Sequence, residues 1–105
     1  MKLNDFRGEK AVELLADLME SASKIMTDKV IVGMTKDKGV TKLQLVQAMM
    51  KGHPTECLEI TALLAGVDVH DTDAFEAYKA EATPVIIVRQ ILEAISDPDV
   101  ASLFT

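Results

Sequence analysis

The sequence predicts an all-α fold: one small bundle of about five to six helices, with residues 1–105 forming a single helical domain. Three observations predict it. Apolar residues recur with helical period over residues 9–26, 41–51 and 84–95. Side chains suited to capping a helix stand before apolar runs at Asp28, Thr41, Thr83 and Asp97. The composition, 49% hydrophobic and 27% charged, excludes disorder and leaves enough apolar mass for one core. A chain of 11.4 kDa buries roughly 65% of its unfolded surface on folding, so neither disulfide nor metal is required.

The first helix is read over residues 9–26, starting from Asp5 or Arg7-Gly8. At 3.6 residues per turn, nine apolar residues from Ala11 to Met26 fall in one arc of about 160°, with Val12, Leu14, Leu18, Met19 and Ile25 among them. Glu9, Glu13, Asp17 and Glu20 occupy the other side, and Glu20 stands i, i+4 from Lys24 in the favourable order.

After Thr27-Asp28, the run Val30-Ile31-Val32 suits either a new helical turn or a minor strand at 30–32. Gly33 to Gly39, with Lys36-Asp37-Lys38 inside, reads as an exposed loop. Thr41 then caps a helix to Lys51. Gly52 suits a left-handed terminating residue, and Pro54 suits the first turn of the next helix.

That helix, Thr55 to Ala65, carries charge only at Glu56 and Glu59 and ends at Gly66, so it is expected to be largely buried. Asp71 or Asp73 is positioned to cap a short helix containing Phe75 and Tyr78. Thr83-Pro84 opens a helix to Ile95, in which Val88, Ile91, Leu92 and Ile95 share a face. Asp97-Pro98 repeats the cap-plus-proline signal before a last turn through Val100, Leu103 and Phe104.

Charge and composition narrow the function. Seventeen acidic against eleven basic residues give a net charge of −6, and the aromatic fraction is 4% without tryptophan. A nucleic-acid ligand calls for a basic face and stacking platforms, so it is not expected. The chain has no apolar stretch near the ~20 residues that span a bilayer, and its N-terminal residues lack the apolar core of a secretion signal. With one cysteine, Cys57, the expectation is a cytosolic protein with no membrane partner.

No catalytic constellation stands out. His53 and Cys57 are spaced i, i+4 but lack two further zinc ligands nearby. The acidic run Asp68 to Asp73 has neither the glycine nor the glutamate positions of a calcium loop. Gly33 to Gly39 lacks the glycine–lysine order of a phosphate loop, and no nucleophile elbow occurs. Neither an enzyme nor any metal or cofactor is expected. Six methionines, Met19, Met26, Met49 and Met50 on apolar arcs among them, suit either core packing or an adaptable binding surface. Met49 lies toward the edge of its arc and Ile86 falls beside Arg89 and Glu93, off the main apolar face; with Leu103 and Phe104 near the terminus, these are the candidate partner anchors. Apolar arcs wider than the ~100° stripe of a surface helix also predict self-association.

Two segments carry a family resemblance. Leu3-Asn4-Asp5-Phe6-Arg7-Gly8-Glu9-Lys10-Ala11, leading into Leu14 to Leu18, resembles the opening of tail assembly chaperones from long-tailed (siphovirus-type) phages and prophages of Gram-positive bacteria. Thr83-Pro84, Ile91 to Val100 and Leu103-Phe104 are similar to that family's terminal helix and Asp-Pro turn. The resemblance covers a little under half of the chain; residues 28–45 and 66–82 lie outside it. It implies a protein that binds the long, helical tape measure protein and keeps it soluble until tail tube subunits polymerise around it. A longer frameshift product would add a domain recruiting the tail tube protein. Such a chaperone acts in the host cytosol and is absent from the mature virion. The competing reading is a small acidic regulatory or adaptor domain that binds a host or phage protein.

Overall fold

A computed structural model describes residues 7–98. Among them the chain forms six helices and no strand: α1 (Gly8–Met26), α2 (Lys29–Lys36), α3 (Lys42–Gly52), α4 (Pro54–Leu64), α5 (Thr72–Glu81) and α6 (Pro84–Ser96). The turn expected beyond Pro98, with Leu103 and Phe104, lies outside the described residues.

Local chemistry sets most boundaries. Asp28, Asp71 and Thr83 each accept a backbone N–H of the first turn they precede, from Val30, Ala74 and Ile86. At α3 the cap is reciprocal: Thr41 Oγ1 accepts Gln44 N–H at 3.1 Å, and Gln44 Oε1 accepts Thr41 N–H at 2.9 Å. The α4 terminus closes through two crossing bonds, Val67 N–H to the Ala62 carbonyl and Gly66 N–H to that of Leu63. That closure needs a left-handed residue, and Gly66 supplies it at φ 84°.

Three expectations are corrected here. Residues 30–32 are neither strand nor strand edge, and residues 33–36 are not loop: all belong to α2. The Asp28 cap and burial of Ile31 at 2% exposure outweigh the β-branched run and Gly33. Gly52 is not left-handed either. It is the last residue of α3, and His53 bridges the two helices with extended φ −138°, its N–H donating to the Met49 carbonyl and its carbonyl accepting from Cys57 N–H.

The centre of the molecule is α4, which touches α1 along its longest interface and also meets α3, α5 and α6. Its sequence makes this inevitable, because Cys57, Ile60, Ala62, Leu63 and Leu64 are buried around most of its circumference. Leu14, Leu18 and Ile25 of α1 face it, and Ser21 joins them by donating to Glu59 Oε2 at 3.1 Å. Val46 and Met49 of α3 and Ile91 and Ala94 of α6 complete the core.

Candidate functional site

The helices leave apolar side chains in solvent because their arcs are wider than the faces they bury. On α1 the buried set is Leu14, Leu18, Ala22 and Ile25, which centres the inward face near Leu18. Val12 and Met19, at the far margin of the same arc, remain 69% and 53% exposed. On α3 the inward face is Val46 and Met49, leaving Leu43 62% exposed. On α6, Ile91 and Ala94 turn inward while Val85 and Ile86 face out.

Of the candidate anchors, Ile86 is exposed, on the side of α6 that carries Arg89 and Glu93. Met49 is not an anchor: at 5% exposure it is part of the core. The wheel gives the reason. Met49 lies about 40° from the middle of its arc, whereas Leu43 lies about 80° away at its true edge. Leu45 lies equally far out on the other margin and is half-buried, so the position of α4 decides which margin is exposed. Leu103 and Phe104 lie outside the described residues.

Leu43 opens onto a groove of about 440 Å³ whose walls are Val46, Gln47, Met50 and Lys51 of α3 and Val88 of α6. A second depression of about 400 Å³ lies across the Gln47–Lys51 ridge, between Met34, Val40, Gln44 and Ala48. Lys51 lines both depressions, and Lys42 Nζ donates to Ser96 Oγ at 3.1 Å, tying the start of α3 to the end of α6. The lining of both depressions is mainly apolar, with Gln47 and Lys51 shared between them.

The titratable groups elsewhere have structural roles. Asp28 uses both oxygens, Oδ1 for Val30 N–H and Oδ2 for His53 Nε2 at 2.9 Å, so it clasps the α1–α2 junction to the α3–α4 junction. The bond to His53, then that from Val30, holds its carboxyl below the ordinary carboxylate value. His70 Nε2 lies 2.9 Å from Asp17 Oδ1, and this partner raises the imidazole's pKa. Burial pushes the Cys57 thiol up to about 11, so it stays protonated and unreactive. His53 and Cys57 form no ion site; among the described residues, no three His, Cys, Asp or Glu side chains converge to hold a metal.

Compared with protein families, with curated proteins and with solved structures, the chain matches none. Among the described residues no helix is long and apolar enough to cross a membrane.

Proposed function

We propose that this chain is a tail assembly chaperone that holds an apolar helix of the tape measure protein until tail tube subunits enclose it. The observation that carries the reading is the apolar surface left in solvent: Val85 and Ile86 at the start of α6, and Leu43 at the apolar groove of α3. A helix laid there would bury apolar anchors at helical spacing, the usual mode of helix-in-groove recognition. The likeness of residues 3–11, 14–18, 83–84, 91–100 and 103–104 to that family supports the tape measure protein as partner, and the net charge of −6 opposes aggregation of the complex. In this reading the protein hydrolyses nothing, needs no cofactor and acts in the bacterial cytosol.

Co-expression with the tape measure protein encoded beside it tests the proposal. Wild type should keep that partner in the soluble fraction. Ile86→Asp should bind it about tenfold more weakly, the loss expected when about 1.4 kcal/mol of apolar burial is removed, while melting at the wild-type temperature. Met49→Asp should instead unfold the domain. A tape measure protein that stays insoluble beside wild type, or binding unaffected by Ile86→Asp, refutes the reading.

A further inference from the structure

We propose that the chain assembles head to tail, the acidic apolar ridge of α1 in one copy seating in the lysine-edged groove of α3 in the next. The first support is charge segregation. Residues 29–52 hold five lysines against Asp37 alone, a net charge of +4, so the remainder of the chain carries −10. The groove of α3 lies in the basic segment: Lys51 lines it, Lys42 begins the helix, Lys36 ends α2 and Lys38 stands in the turn between the two helices.

The ridge lies in the acidic part. Val12, Ala16 and Met19 form an exposed row at i, i+4 and i+7 on α1, flanked by exposed Glu9, Glu13 and Glu20. Glu20 is 3.9 Å from Lys24, a solvent-exposed contact, and among the described residues Glu9 and Glu13 form no ion pair. From Val12 to Met19 the row spans seven residues, about 10.5 Å of helix; Leu43 to Met50 along the groove spans the same. Ridge and groove therefore match in length, in apolar character and in opposite charge.

The two faces are unable to satisfy each other within one copy. Both α1 and α3 pack on α4, and each turns its apolar excess away from it. Satisfaction requires a second molecule, and a ridge-to-groove contact leaves one free ridge and one free groove at the ends. The assembly is heterologous and continues into a ring or a filament according to its rotation. One helix on one groove is a small contact, which makes it weak, and the opposed carboxylates and ammonium groups make it salt-sensitive.

The test uses the purified chain alone, so it stands or falls separately from tape measure binding. In sedimentation at about 0.1 M salt, wild type should show a mass that grows with concentration, and about 1 M salt should weaken association roughly tenfold as the screening length shrinks to about 3 Å. Leu43→Asp removes the groove and Met19→Asp the ridge; each alone should be monomeric. Mixed, they should form a 1:1 dimer and nothing larger, because one intact ridge meets one intact groove. Should either variant lose its helical spectrum, Glu13→Lys and Lys51→Glu replace them: each weakens association, and both in one chain restore it. A wild type monomeric to about 1 mM, a mixture that stays monomeric, or variants that associate like wild type overturns the proposal.

Discussion

Replacing Thr41 with alanine probes how α3, the helix that carries the groove, is held in place. Its cap is a closed pair of bonds, Thr41 Oγ1 with Gln44 N–H at 3.1 Å and Gln44 Oε1 with Thr41 N–H at 2.9 Å. The helix has 11 residues, shorter than the ~12–15 at which an isolated helix becomes even marginally stable, so its first turn depends on these bonds and on packing. Loss of a threonine cap typically costs about 1 kcal/mol. Both side chains are exposed, so water partly replaces what is lost and the lower half of the range applies. In a domain of this size that is a melting point lower by about 4 °C. Thr41→Ser keeps the oxygen and should melt within about 1 °C of wild type. Gln44→Ala removes only the return bond, and the double variant should lose less than the sum, since the two bonds fix the same turn. Calorimetry with a parallel urea titration reads all four variants against wild type. Thr41→Ala melting with wild type, or losses that add fully, would refute the reciprocal cap.

Two further outcomes follow from the histidine–carboxylate pairs. Asp28 has a folded pKa below its ordinary 3.8, so its contribution is present above that value and vanishes as pH falls through the folded one; the melting gap between wild type and Asp28→Asn, which retains an oxygen for Val30, should be open at about pH 5 and narrow progressively as pH falls below 3.8. His70 has the opposite sign: its pKa is raised from 6.5, so its contribution is complete below 6.5 and lost as pH rises through the folded value, and the gap to His70→Gln should be open at about pH 5.5 and gone by about pH 9. A gap independent of pH in either series would show that the pair does not persist in solution.

What was legible in the sequence is what is settled within a few residues. The caps at Asp28, Thr41 and Thr83, the proline start of α4 and its Gly66 terminus all depend on neighbours in the chain. What was not legible depends on contacts across the fold. Val30-Ile31-Val32 has strand propensity, yet Ile31 is drawn into the helical core. Ser21 is a polar residue in the core, where its partner Glu59 lies 38 positions away in sequence and 3.1 Å away in space. His53 reads as a turn residue, and only the structure brings Asp28 to it. The candidate anchors divide by the same rule. A residue well off an apolar face, Ile86, is identifiable from the wheel, whereas choosing between Met49 and Leu43 needs the direction in which α4 lies from α3.

The exposed apolar residues also have a common origin. A core built on α4 buries one side each of α1, α3 and α6, while their apolar arcs extend past it. Each arc is thereby divided between a buried half and a solvent half, and the solvent halves point in different directions: Val12 and Met19 on α1, Leu43 on α3, Ile86 on α6. Only the first two sit in segments of opposite net charge, which makes them partners for each other. Ile86, on the Arg89–Glu93 side of α6, is left out of that pairing, so copies joined ridge to groove would still present one Ile86 strip each. Along an assembly, those strips repeat. A long helical partner that contacts one weakly contacts the next at high effective concentration, and avidity exceeds single-site affinity by about 10²–10⁴ where the spacing allows both to engage. On the proposed reading, weak self-association and weak apolar contacts together suit a chaperone: many small anchors hold a long helix, and each yields separately to the tube subunit that replaces it.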